Sequence, residues 1–329
     1  MRSKKHLDPM LIKDLRDFEE DGLRDGFGRG LLRAGKANEA VVALCADLTE
    51  STRMNLFAEK FPDRFVQVGV AEQNLVTVAS GMAAMGKVPF TSSYAAFSPG
   101  RNWEQIRTTI CLNEANVKIV GSHAGVSVGP DGATHQMLED IALMRVLPNM
   151  MVLAPCDGLE AEKATIAAAT YQGPVYIRLA RASSPVFTTE ETPFSLEKAQ
   201  IFREGSDVTV VACGILVYEA LLAAEELKKQ KIEVEVINCP VIKPLDVQTI
   251  LESTHKTGAV VTAEEAQING GLGGAVAEVL SENLPVPFER IGMEDRFGES
   301  GEPAELLEHF GLTSEHIKEA VLAVIERKG

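Results

Sequence analysis

The chain has 329 residues, 45% hydrophobic and 24% charged, an ordinary globular mix that excludes a disordered tail, a collagen-like rod and a disulfide-stapled miniprotein. Its 32 Lys+Arg against 47 Asp+Glu leave a net charge of -15, which repels phosphate backbones and anionic lipid. Aromatics at only 5% also disfavour a base-stacking platform, so neither nucleic acid nor membrane is an expected partner.

The first 26 residues turn acidic before any apolar run appears, so no signal peptide is read there. β-Branched apolar runs at 40–44, 65–68, 88–92, 117–122, 151–154 and 175–179 predict buried strands. Helical patterns at 71–84, 102–112, 136–146 and 158–169 separate them. Strands parted by helices of this length imply right-handed crossovers and a parallel sheet covered on both faces. Around 183–196 the texture becomes rich in Ser, Thr, Pro and Glu, which reads as a linker. Alternation then resumes: strands at 208–213, 234–238, 258–263 and 288–292, and helices at 217–230, 245–253, 273–284 and 314–328. The expected fold is α/β in two domains, 21–190 with a parallel sheet and a smaller 191–329, after an N-terminal extension over 1–20. The longest apolar run, 208–217, is about half a membrane span. The five cysteines, Cys45, Cys111, Cys156, Cys213 and Cys239, form no Cys-x-x-Cys pair, as expected of reduced thiols in a cytoplasmic protein.

Three segments carry chemistry. GSHAGVSVGPDGATHQ at 121–136 follows a strand, where open α/β sheets place ligands. Its glycines permit close backbone approach, His123 and His135 suit hydroxyls, phosphates or proton transfer, and Asp131 can accept from a hydroxyl. The alternative is a glycine-rich crossover loop with solvated histidines. In VGVAEQN, Glu72 opens a helix of small apolar residues. It is either a helix-dipole partner, worth about 0.3–1 kcal/mol, or a buried carboxyl held for chemistry with its pKa raised by desolvation. In PFTSSYAAF, Tyr94 and Phe97 stand three apart, as core packing or as a wall for a flat heterocycle. No Gly-x-Gly-x-x-Gly after a strand, no Walker-type loop, no Gly-x-Ser-x-Gly elbow and no His-Glu-x-x-His is present.

In this order and spacing the three segments resemble the thiamine-diphosphate-dependent transketolase family: its catalytic-glutamate motif, its pyrimidine-stacking loop and its substrate loop, with two histidines twelve positions apart. The resemblance runs from about Leu23 to the end and covers the family's pyrimidine-binding and C-terminal domains. The family's diphosphate-binding domain carries Gly-Asp-Gly, whereas this chain has only Pro130-Asp131-Gly132 and Cys156-Asp157-Gly158. A diphosphate with Mg2+ needs oxygen ligands on the metal, and no segment offers such a cradle. The chain is therefore read as one subunit of a split transketolase, with no metal ligand of its own. The partner expected is a separate N-terminal diphosphate-binding subunit that holds Mg2+, in an α2β2 assembly.

The resemblance implies the roles. Glu72 would hydrogen-bond the pyrimidine of thiamine diphosphate, with Phe97 and Tyr94 packed on the ring. His135 would sit near the reacting oxygen or the cofactor amino group. Asp131 and His123 would meet the sugar phosphate donor. Arg24, twenty-three residues before Asp47 of the ADLTES turn, matches a substrate-phosphate arginine, and Ser51 in that turn joins it. An acid-flanked surface arginine is the other reading of Arg24. Two positions depart from the family: Ala154 stands where a phosphate-clamping arginine is usual, which Arg178 or Arg181 could replace, and Gly100 stands near a second tyrosine position. The implied sugars are xylulose 5-phosphate and ribose 5-phosphate. The rivals are the β subunit of a 2-oxoacid dehydrogenase E1, disfavoured by the PDGATHQ loop, a 1-deoxyxylulose-5-phosphate synthase, normally one longer chain, and a non-catalytic homologue.

Overall fold

A computed structural model describes residues 11–328, so the first half of the 1–20 extension lies outside the described residues. Fourteen strands are described: β1 (Glu19–Gly22), β2 (Val41–Cys45), β3 (Phe65–Gln67), β4 (Val88–Tyr94), β5 (Lys118–Ser122), β6 (Met151–Leu153), β7 (Val175–Arg178), β8 (Ser183–Val186), β9 (Gln200–Arg203), β10 (Val208–Ala212), β11 (Val234–Asn238), β12 (Val241–Lys243), β13 (Val260–Gln267) and β14 (Phe288–Met293). The first sheet has seven strands in the order β12-β6-β7-β5-β4-β2-β3, parallel throughout except at β12. The second has five, β14-β13-β10-β11-β9, parallel except at β9. The α/β class and the two-domain order agree with the sequence-based expectation.

Strand periodicity sorts the cores. Val41 and Ala43 of β2 point to one face of the first sheet and join Leu23, Phe27 and Leu31 of helix Leu23–Ala37 and Ala161 and Ala164 of helix Gly158–Thr170. Val42 and Leu44 point to the other face, with Leu75 and Val76 of helix Glu72–Ala84, Ile106, Ile110, Ile141 and Met144. That second cluster continues through Ile242 to Val211, Ile237 and Val260 of the second sheet, so one core spans both domains.

Several elements differ from expectation. Helix Leu23–Ala37 has Gly26, Gly28, Gly30 and Gly35, each costing about 1 kcal/mol of helix propensity relative to Ala, so no helix is predicted there. The glycines are repaid in packing: a Cβ on Gly26 would lie 1.9 Å from the Gly158 carbonyl oxygen, and one on Gly30 2.7 Å from Thr165 Cβ. The presumed linker is partly tied down. β8 pairs antiparallel with β1, and the Phe187 and Thr188 amides donate to Asp157 Oδ2 at 3.1 and 2.8 Å. β12 leaves the second half of the chain to pair with β6 at the edge of the first sheet. The helix expected over 136–146 is reduced to Asp140–Arg145, because Met137 is drawn into a bridge with Ala124, its carbonyl accepting from the Gly125 amide at 2.8 Å.

Polar groups close the junction. Arg178, buried at the end of β7, pairs through Nε with Asp140 Oδ2 at 3.0 Å and donates from Nη2 to the Glu265 carbonyl. Tyr176 Oη donates to Asp140 Oδ2 at 2.8 Å. Glu265, at the second domain's edge of this network, accepts from the Ser127 amide at 2.7 Å. Glu160 accepts from Asn238 Nδ2 at 2.7 Å across the same junction, and burial followed by the neighbouring Asp157 pushes its carboxyl up to about 7.

Replacing Gly26 by Ala must push apart two backbones rather than a flexible side-chain end. Gly26→Ala is expected to destabilise the chain by about 1–3 kcal/mol or more, as overpacking does. Thermal unfolding checks it, and an unchanged melting temperature would remove close helix contact as the reason for this glycine.

Candidate active site

Every candidate side chain projects from one rim of the first sheet, at the carboxyl ends of its strands or from adjoining helix starts. The turn after β2 supplies Ser51, the end of β4 supplies Tyr94 and Phe97, and the loop after β5 supplies His123 and His135. Arg24 and Glu72 stand in the first turns of helices Leu23–Ala37 and Glu72–Ala84. This is where parallel α/β sheets gather ligand-binding groups.

His123 is the centre of the cluster. Its side chain is 1% exposed and its backbone is held at a φ of 57°, a strained conformation for a residue with a side chain. The ring stacks on Tyr94 with centroids 3.8 Å apart and planes 20° apart. Nδ1 lies 2.9 Å from Ser122 Oγ, and Nε2 lies 3.4 Å from Ser51 Oγ, which is itself 2.7 Å from the Tyr94 hydroxyl. Burial, then the charges of Arg24 and Arg181, hold the His123 pKa down to about 3, so the ring is neutral near pH 7.

Arg24 donates from Nη1 to the Ser51 carbonyl at 3.0 Å, while its buried Nε has no hydrogen-bond partner among the described residues. Burial, then Arg53, lowers its pKa. Arg53 pairs with Asp25 at 2.6 Å, and Arg181 donates to the Val128 carbonyl at 3.1 Å. An acidic chain thus gathers cationic groups around a neutral imidazole, a setting for an anionic ligand.

Phe97 stacks beside Tyr94 at 5.8 Å and meets the half-buried His135 edge-on at 5.3 Å. His135 Nδ1 lies 2.8 Å from Thr134 Oγ1. Glu72, 6% exposed, joins the group through Arg101, whose Nη1 is 3.2 Å from Glu72 Oε1 and whose guanidinium lies 4.1 Å from the Phe97 ring centroid. Asn102 Nδ2 donates to the Glu72 carbonyl at 2.7 Å and fixes the helix start. Arg24, Ser51, Tyr94, Phe97, His123 and His135 are thus brought together, with Glu72 linked by Arg101. Asp131 is exposed at the tip of the same loop, and none of the described side chains bonds to its carboxylate. Arg178 is committed to Asp140 and Glu265, which leaves Arg181 as the arginine beside His123.

Arg53 and Arg101 were not singled out from sequence. Both lie in loops or short turns without periodicity, and their significance comes only from what they touch. Among the described residues, no group of three or more His, Cys, Asp or Glu side chains could hold a metal ion. A buried carboxyl bridged by Arg101 to an aromatic ring fits the flat ring of a cofactor, whereas the described residues gather no such group of ligands for a metal-bound end.

The folded-state pKa of His123 lies below the ordinary value of about 6.5, so the unfolded chain binds the extra proton first and this site loses stability as pH falls through that interval. Its ring proton resonances are expected to stay flat between about pH 5 and 8. An NMR titration midpoint near 6.5 would refute the neutral, arginine-flanked assignment.

Residues 22–186 match the family model of the transketolase pyrimidine-binding domain, and residues 197–317 that of the transketolase C-terminal domain. The chain is 46% identical to a 6-deoxy-6-sulfo-D-fructose transketolase subunit of Clostridium sp. (strain MSTE9), over 94% of this chain and 97% of that one. It is 44% identical to a putative transketolase C-terminal section of Methanocaldococcus jannaschii, over 93% and 97%. Human transketolase is 37% identical over 92% of this chain but only 49% of its own length. Among solved structures, a split-gene transketolase, an inactive β4 tetramer, superposes with a TM-score of 0.88 at 45% identity, covering 94% of this chain and 99% of that one. On its sequence, its two domains and its fold, the chain belongs to the transketolase family.

Proposed function

We propose that this chain is the C-terminal subunit of a two-chain transketolase. With an N-terminal, diphosphate-binding partner it transfers a two-carbon ketol unit from a ketose phosphate to an aldose phosphate, using thiamine diphosphate. The observation that carries this is the buried carboxyl of Glu72 bridged by the Arg101 guanidinium to the Phe97 ring, in a chain whose described residues hold no metal cradle. An α2β2 assembly, with Mg2+ held by the partner, follows from that division. The split-gene relative's description as an inactive β4 tetramer supports inactivity of copies of one chain alone. All five cysteines are free and buried, which supports a cytoplasmic setting. Among the described residues no helix is long and apolar enough to cross a membrane.

Thiamine diphosphate, when bound, supplies an electron sink for a carbanion beside its thiazolium ring. The chain's own residues orient and protonate. Glu72 offers its carboxyl to the pyrimidine ring nitrogen, with the helix start held by Asn102. Phe97 and Tyr94, their rings 5.8 Å apart, would present aromatic faces to that ring. His135, beside Phe97, is placed to exchange a proton with the reacting oxygen. His123, neutral and bonded on both ring nitrogens, orients a sugar hydroxyl instead of transferring charge. Asp131 accepts from a donor-sugar hydroxyl, and Arg24 with Ser51 holds the terminal anion. Arg181 and Arg53 add charge where Ala154 offers none. The Clostridium relative is named for 6-deoxy-6-sulfo-D-fructose, and a further relative, of Phocaeicola vulgatus and 36% identical, for apulose 4-phosphate. Arginine forks bind a sulfonate and a phosphate through the same three-oxygen face, so a sugar sulfonate is the second donor to assay.

In the complex reconstituted with the N-terminal partner, Glu72→Gln is expected to lower kcat by about 100-fold or more, the usual scale of a lost acid–base group. The chain alone, supplied with thiamine diphosphate and Mg2+, is expected to show no ketol transfer. Wild-type turnover by Glu72→Gln, or full activity without a second polypeptide, would overturn the proposal.

A further inference from the structure

The loop that carries Asp131 and His135 is fastened from behind by the C-terminal domain. Gln136, adjacent to His135 and 4% exposed, donates from Nε2 to the carbonyls of Val126 at 3.2 Å, Gly129 at 3.2 Å and Glu299 at 2.9 Å. Two amide hydrogens are shared among three acceptors, two on the loop and one in the other domain. The fit leaves no room. A Cβ on Gly298 would lie 2.0 Å from Gln136 Oε1, and one on Gly132 2.5 Å from Ser300 Oγ. Gly129, at a φ of 80°, would place a Cβ 3.2 Å from the Pro303 ring and 3.3 Å from the Gly301 carbonyl oxygen. Glu265 grips the same loop at its other end through the Ser127 amide at 2.7 Å.

We propose that Gln136 and the 298–301 turn form a latch through which the C-terminal domain sets the geometry of the substrate loop. Gln136 is a positioning residue. None of its side-chain hydrogen bonds among the described residues goes to Ser51, Tyr94, Phe97 or His123, and it acts through the backbone that aims Asp131 and His135. The C-terminal domain is then a part of substrate recognition although it contributes no side chain to the rim. The inference rests on the proposed substrate role of that loop.

The decisive variants are Gln136→Met, which keeps the side chain's length and removes its donor hydrogens, and Gly298→Ala, which crowds the same amide from across the domain boundary. In the reconstituted complex each is expected to raise the donor KM by about tenfold, the scale of one or two lost buried hydrogen bonds. Thiamine diphosphate affinity, read by quenching of Trp103, the chain's one tryptophan, should fall by less than donor affinity, because Glu72 lies outside the loop and Phe97 meets it only through His135. The double variant should be no worse than the more damaging single one, as expected for two changes acting on one contact. In the chain by itself, amide hydrogen exchange over 126–135 should accelerate by about tenfold in either variant, with no change over 72–84. Donor KM and loop exchange both at wild-type values would overturn the latch. Cofactor affinity falling as far as donor affinity would overturn it too, because that marks general loosening. A wild-type complex without ketol transfer would sink the proposed function and leave the exchange measurement to decide the latch on its own.

Discussion

The buried guanidinium of Arg178 is the constraint on which much else depends. It leaves the end of a central strand, pairs with Asp140 at the start of a short helix, and donates to the Glu265 backbone in the second domain. Leaving a buried carboxylate unpaired would cost several kcal/mol, so strand, helix and second sheet are locked at one separation. Glu265 in turn holds Ser127, the foot of the loop that bears His123 and His135. The same ionic network that joins the domains therefore sets one end of the site.

From that scaffold the rim acquires a polarity opposite to that of the whole protein. The net charge is -15, yet Arg24, Arg53, Arg101 and Arg181 collect at the strand ends. Burial and those charges keep His123 neutral, which makes it a hydrogen-bonding group over the physiological range. Positive charge and neutral hydrogen bonding are thereby placed on different side chains, the arginines carrying the first and His123 the second.

Much of this was legible in the residues themselves. Strand β2, VVALC, announced itself as an unbroken apolar run, and β4, β5, β7, β10 and β11 as runs rich in β-branched and apolar residues, because a parallel strand covered on both faces has no solvent side. Apart from Arg24 and Ser51, the candidate residues lay in three segments whose composition is unusual for crossover loops. Other features were silent. Helix Leu23–Ala37 is rich in glycine and looks helix-averse until its neighbour is known to approach within backbone contact. β1, β8 and β12 are short and find partners far along the chain. Arg101 and Gln136 sat inside segments already noticed, yet neither their type nor their spacing distinguished them from solvated surface residues.

The sequence by itself determined the α/β class, the order of the two domains and the chemical inventory of the rim, because periodicity and composition are local properties. Only the tertiary structure decided that Arg181 rather than Arg178 lies near His123, that Arg178 is spent on the domain junction, and that the second domain reaches back to hold the loop bearing His135. Those outcomes depend on burial and on pairing between residues up to about 160 positions apart, as with Gln136 and Glu299, where neither side chain carries a mark of its partner.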